Sequence, residues 1–276
     1  MIAGDGGTMD IQKITILGGT ARDGSREPLA SFELRMGDVA SIVGPTGSGK
    51  TALINDIGMF ANANTPTLRR VLINDEVPPA SFREDPASNP IALITQHTSF
   101  LSDLPVQRFL GLHAKIRRSE RRETIVEETL QFANQLTGEP IDVDSAMTEL
   151  SGGQSRALLI ADAVVIGNSP IILLDEIENA GIDRSRALAL LGNYQKIFLF
   201  VTHDLHIALH STYRLVMRGG AMQDLIVTAE TESRMATRLD HLEKTMIHFR
   251  DRVRAGLPLS EDDLNTRLAQ MPGVQP

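Results

Sequence analysis

Short apolar runs and longer amphipathic stretches take turns along most of the chain. Residues 11–17 have the composition of a strand and close on a Gly18-Gly19 turn. Apolar and polar positions alternate over residues 30–34, and an apolar run covers residues 39–43. Both predict strands, joined through Met36-Gly37-Asp38. The apolar run stops abruptly in a glycine-rich stretch, residues 44–51, after which residues 52–60 read as a helix. Residues 71–73 and 91–95 are further short strands, and the Pro-, Ser- and Asn-rich residues 78–90 between them form a loop. From residue 106 to residue 136 the period changes. Leu110, Ala114, Ile125, Thr129, Phe132 and Leu136 fall at the steps of a helix face within their segments, until Gly138 and Pro140 end the pattern.

A second alternation follows. Helices over residues 154–166 and 184–191 are interleaved with strands over residues 171–174 and 197–201, and residues 213–217 and 221–227 form a closing hairpin through Gly219-Gly220. Strands separated by helices of this length predict a mainly parallel sheet. Beyond the hairpin, Met235, Leu239, Leu242, Met246, Phe249 and Val253 make a heptad seam. Packing on the chain's own domain is the first expectation for it, with tail-to-tail contact or partner docking as alternatives. Gly256 and Pro258 end the seam, and Ser260 with Asp263 offers a cap for a last short helix.

Candidate chemistry begins at Gly44-Pro45-Thr46-Gly47-Ser48-Gly49-Lys50-Thr51, which matches G-x-x-x-x-G-K-[ST] after a strand and before a helix. The glycines let backbone N–H groups turn inward around phosphate oxygens, and the helix start adds positive potential. Lys50 is then placed for the β- and γ-phosphates of ATP and the Thr51 hydroxyl for Mg2+. A glycine-rich loop of purely structural purpose needs neither residue. The apolar strand 171–174 delivers Asp175 and Glu176 at its end, expected to point in opposite directions because a strand has period two. Asp175 suits Mg2+ through its water shell, and Glu176 suits the polarisation of an attacking water.

Leu150-Ser151-Gly152-Gly153-Gln154, lying between these two elements, resembles the signature pentapeptide of the ATP-binding cassette (ABC) family. The resemblance implies that Ser151, Gly152, Gly153 and Gln154 receive the γ-phosphate of ATP bound to a second cassette subunit, so that a head-to-tail homodimer shares two sites. It further implies that Gln96 touches Mg2+ and water, that Asp183 contacts the neighbouring subunit, and that His203 holds the γ-phosphate and aligns Glu176. The implied fold is an α/β phosphate-loop NTPase of ABC type: a mainly parallel sheet, an antiparallel N-terminal β subdomain, and a helical subdomain inserted at about residues 101–150. In that frame residues 1–10 are a tail, 11–227 the ATPase domain and 228–276 a helical extension. Two departures stand out. Residues 177–183 replace the Pro-Thr that usually follows the paired acids in transport cassettes, and residues 16–22 lack the aromatic on which most members stack adenine. Such stacking is worth about 1–3 kcal/mol in related nucleic-acid settings, so base affinity is expected to be weaker here.

Composition narrows the picture further. Without cysteine the chain has no disulfide, thiolate zinc site, cysteine-bound cluster or thiol nucleophile, which fits a reducing cytosol. A net charge of −8 argues against broad attraction to nucleic acid or anionic lipid. Lys115, Arg117, Arg118, Arg121 and Arg122 are interleaved with Glu120, Glu123, Glu127 and Glu128, the pattern of a solvated helix face. His203, His206 and His210 have the spacing of metal ligands on a helix but no obvious fourth partner. No stretch reaches the roughly 18 apolar residues of a membrane span, so the expected location is cytoplasmic, at the inner face of the membrane only through a partner. The expected function is Mg-dependent ATP hydrolysis as the energy-coupling subunit of an importer-like ABC transporter, with a separate transmembrane permease. The alternative is a soluble ABC ATPase that remodels or assembles a client protein or cofactor.

Overall fold

The computed structural model describes residues 10–95, 97–117, 122–176, 182 and 184–269. They fall into two compact units that divide between Val227 and Thr228.

In the first unit β1 (Lys13–Leu17), β2 (Ser31–Arg35), β3 (Val39–Val43), α1 (Lys50–Gly58) and β4 (Arg70–Ile73) come first. β1 is the centre of an antiparallel sheet in the order β2-β1-β4. Its alternation sets the register: Ile14 lies opposite Leu34 and Ile73, Ile16 opposite Phe32 and Val71, and all six are buried. A one-residue slip would turn this whole set outward.

α2 (Ser81–Glu84), β5 (Ile91–Ile94), α3 (Val106–Ile116), α4 (Arg122–Leu136), a 3-10 turn at Met147–Glu149, α5 (Gly152–Val164) and β6 (Ile171–Asp175) follow. The unit ends with α6 (Arg184–Leu191), β7 (Ile197–Val201), α7 (Leu205–His210), β8 (Tyr213–Arg218) and β9 (Ala221–Val227). The second sheet has the order β5-β6-β7-β3-β8-β9, parallel throughout except for the β8–β9 hairpin. Every residue of β7 is buried, and every residue of β6 but Asp175. That is why both read as unbroken apolar runs: a parallel strand covered on both faces needs no polar side. Period two then divides them. Ile171 and Leu173 join α1 and the antiparallel sheet in one core, while Ile172 and Leu174 join α3, α4 and α5 in the other.

The expected fold is thus the one observed, with shifted boundaries. The helical pattern expected over residues 106–136 is carried by two helices, α3 ending at Ile116 and α4 beginning at Arg122. The loop 78–90 contains the short α2. Asp175 is the last residue of β6, but Glu176 does not continue the strand: its φ is 50°, so the expected strand alternation of the two acids fails at Glu176.

The second unit contains α8 (Glu230–Arg254) and α9 (Glu261–Ala269). Gly256, with φ of 71°, ends α8 as the N–H groups of Gly256 and Leu257 turn back to the carbonyls of Val253 and Arg252. Ser260 Oγ accepts from Asp263 N–H at 3.1 Å and caps α9 as its spacing predicts. Along the seam Met235, Leu242, Met246 and Val253 remain exposed. Among the described residues no helix is long and apolar enough to cross a membrane.

Candidate functional site

The carboxyl ends of four neighbouring strands, β6, β7, β3 and β8, meet at one edge of the parallel sheet, where ligands of open α/β sheets bind. The loop of residues 44–49 leaves β3 there and wraps into α1. Two of its glycines have no substitute. Gly44 has φ of 154°, and a Cβ on it would lie 2.3 Å from Met217 O; Gly49 has φ of 101°, and its Cβ would lie 2.9 Å from Gly220 Cα. Gly220 N–H donates to Ser48 O at 2.9 Å, so the β8–β9 turn braces the loop from outside.

Lys50 is buried under this loop. Its Nζ donates to Gly44 O at 2.8 Å and Pro45 O at 3.2 Å, and lies 3.2 Å from His203 Nε2. With Lys50 an ammonium, Nε2 accepts, which leaves the imidazole proton on Nδ1. His203 Nε2 is 3.9 Å from Glu176 Oε1. Glu176 is held by its own N–H, which donates to Val201 O at 2.9 Å across the β6–β7 ends. A non-glycine residue at positive φ costs of the order of 1–3 kcal/mol and persists where its surroundings over-determine it. Lys50, Thr51, Glu176 and His203 all line one cleft of about 300 Å3.

Behind the cleft sits a feature that reading the sequence missed. Arg69 is fully buried between two buried carboxylates: its Nη2 is 2.6 Å from Glu27 Oε1 and its Nη1 is 3.0 Å from Asp56 Oδ2. Glu27 also accepts from the N–H groups of Gly19 and Met222, and Arg69 Nη2 donates to Gly220 O. The trio ties α1, which carries Asp56, to β4, the β1–β2 loop and the β8–β9 turn. Nothing in the local sequence marks these three distant charges as partners. Arg22, exposed in the β1–β2 loop, was missed as well: it lines the cleft and donates from Nη2 to Gly47 O at 3.0 Å.

The donor set fits a polyphosphate. Ser48 Oγ is buried without a hydrogen-bond partner in the protein, Lys50 is a buried cation, and the start of α1 carries no side-chain cap. The Thr51 hydroxyl and the Asp175 carboxylate are hard oxygen donors of the kind Mg2+ selects. Ser151, Gly152, Gly153 and Gln154 do not line this cleft; they form the start of α5. Gln96 and Asp183 lie outside the described residues.

A phosphate-loop cleft at the carboxyl edge of a parallel sheet, with a carboxylate and a histidine facing the loop lysine, defines an ATP-binding ATPase. The family model for the ABC transporter matches residues 29–179. An uncharacterised ABC transporter ATP-binding protein of Methanocaldococcus jannaschii is 45% identical over 257 residues, 93% of this chain and 98% of that protein. A thiamine import ATP-binding protein of Yersinia pestis is 31% identical over 67% of this chain and 78% of its own length. Among solved structures, cbiO1 of Clostridium perfringens, part of the ABC transporter complex cbiONQ, superposes with a TM-score of 0.61 at 20% identity, over 84% of this chain and 94% of that one. The chain belongs to the ABC transporter family and is an ATP-binding cassette ATPase.

Proposed function

We propose that this chain is the energy-coupling subunit of an importer-like ABC transporter, working as a head-to-tail pair of cassettes on a separate membrane permease. The observation that carries the pairing is the separation of the two anion-binding elements. The cleft gathers Lys50, Thr51, Glu176 and His203, while Ser151 to Gln154 stand at an exposed helix start elsewhere on the same chain. A second copy presenting that helix start completes the site. The import reading is supported by the named function of the Yersinia pestis relative.

In this reading Lys50 exchanges the carbonyls of Gly44 and Pro45 for β- and γ-phosphate oxygens, with no change in its charge. His203, released from Lys50, turns an N–H to the γ-phosphate. Glu176 accepts the proton of the attacking water, and Gln96 and Asp183 complete the water and subunit contacts. Thr51, Asp175 and Gln96 would hold Mg2+, which when bound neutralises phosphate charge.

Glu176→Gln tests the assignment. ATP binding should persist while turnover falls by roughly 10²-fold or more, as expected for loss of a positioned base, and size-exclusion chromatography should show an ATP-bound dimer. Undiminished hydrolysis would remove Glu176 from this role. Capturing partners on the same variant with ATP tests the transporter: a polytopic membrane protein supports it, and a soluble client alone overturns it.

A further inference from the structure

The phosphate loop accounts for the polyphosphate, but a nucleotide also carries a base, which must lie outside the loop. Among the described residues the cleft has no aromatic wall apart from the His203 imidazole. What it does have is Arg22. The β1–β2 loop that carries this residue is fixed at several points. Arg22 N–H donates to Gly219 O at 3.3 Å, and its guanidinium donates to Gly47 O at 3.0 Å. The β8–β9 turn presses so close that a Cβ on Gly220 would stand 3.1 Å from Arg22 Cβ. From behind, Glu27 accepts from Gly19 N–H and Arg69 donates to Gly220 O, so the buried trio holds both the loop and the turn. Among the described residues no carboxylate pairs with Arg22, and its side chain stays exposed.

A guanidinium is planar, permanently charged and weakly hydrated, and it stacks on aromatic faces. Pinned by one N–H to the tip of the phosphate loop, it leaves a flat cationic face beside the path a nucleotide takes out of the cleft. We propose that Arg22 is a nucleotide-contacting residue whose guanidinium forms the platform for the base. Every base has a π-face, and a platform that reads only the face does not choose between purines. The inference rests on the nucleotide site described above and adds a determinant of its specificity, at the position where the sequence offers no aromatic.

The test is calorimetric titration of the full chain with Mg-ADP, Mg-GDP and inorganic pyrophosphate, ligands the protein cannot hydrolyse as it does ATP. The expected result is binding of ADP and GDP within about threefold of each other. Arg22→Ala should weaken both by roughly tenfold, the loss expected for a cation–π contact, and leave pyrophosphate unchanged. Arg22→Lys, which keeps the charge and loses the plane, should behave as Arg22→Ala, whereas Arg22→Tyr should restore ADP binding. Equal melting temperatures without ligand establish that these exposed-site variants are folded. Unchanged ADP binding in Arg22→Ala would overturn the proposal. So would an equal loss for pyrophosphate, which would make Arg22 a phosphate contact, or full rescue by Arg22→Lys. Failure of the unmutated chain to bind either ADP or pyrophosphate would overturn the nucleotide site itself, and this inference with it.

Discussion

Two helices of this chain begin on glycine-rich turns and treat their orphan N–H groups in opposite ways. α1 starts behind Gly49 with no side-chain cap, above a buried lysine. α5 starts behind Ser151, whose Oγ accepts from Gln154 N–H at 3.3 Å while Gln154 Oε1 accepts from Ser151 N–H at 3.0 Å. The first turn of any helix has donors without internal partners. In α1 they are left for a ligand, and the cation, the buried Ser48 hydroxyl and the tight loop are arranged around that space. In α5 the helix satisfies part of the need with its own side chains, in a reciprocal capping box. Similar residue types at a helix start therefore do not make equivalent anion sites. One is organised before its ligand arrives, and the other already directs part of its donor set to its own cap.

The sharpest way to break this contrast is to remove what holds α1 from behind. Arg69→Met leaves the buried Glu27 and Asp56 without their shared cation, and breaking such a cluster costs about 3–5 kcal/mol. Urea unfolding should show that loss; a change under about 1 kcal/mol, the worth of an exposed pair, would mean the trio does not anchor the loop. Next in size, Lys50→Ala removes the only buried charge that α1 offers a phosphate. Turnover should fall roughly 10² to 10³-fold, the scale for loss of one preorganised donor to developing charge, with ATP binding by calorimetry falling in parallel. Ser151→Ala acts on the other helix start. It should cost about 1 kcal/mol of stability through the lost cap and lower turnover, yet leave ADP affinity of the isolated chain untouched. Equal losses in ADP affinity and turnover would show that the two starts are not separate elements.

The smallest effect serves as a control away from both. Lys196 immediately precedes β7 at the other end of the sheet, where Nζ donates to Asn168 Oδ1 at 2.7 Å and Ser169 O at 3.0 Å. Burial pushes its pKa down to about 8. Between that value and the ordinary 10.5 the unfolded chain binds more protons than the folded one, so this group makes stability rise with pH across that window. Chemical denaturation of Lys196→Met from pH 7.5 to 10.5, a range about the two pKa values, should lack this rise while turnover at neutral pH stays close to that of the unmutated chain. An unchanged slope would assign the rise to another group.

What could be read ahead of the structure, and what could not, divides along the same line. The loop of residues 44–51 was readable because its chemistry is contiguous: the strand before it, the glycines that take positive φ and the Lys50-Thr51 pair lie in one short segment. Ser151 and Gln154, three residues apart, read as an anion site; that they also cap α5 is a finding of the structure. Glu176 was readable as a carboxylate at a strand end, but its backbone was not. The turn that takes it out of β6 is held by Val201 O from a strand over twenty residues later in the chain, and strand period alone cannot anticipate that.

By itself the sequence determined the alternation of strands and helices, the phosphate loop and the order of the family's motifs, because each depends on neighbours along the chain and on local backbone preference. The tertiary structure alone decided that Glu27, Asp56 and Arg69 share one buried site, and that Arg22 reaches Gly47. It also decided that Lys50, Glu176 and His203 face each other while Ser151 does not join them. Charges far apart in sequence read singly as solvated surface. Only when strand order brings them together does the cost of burying each one force the pairing that gives it a role.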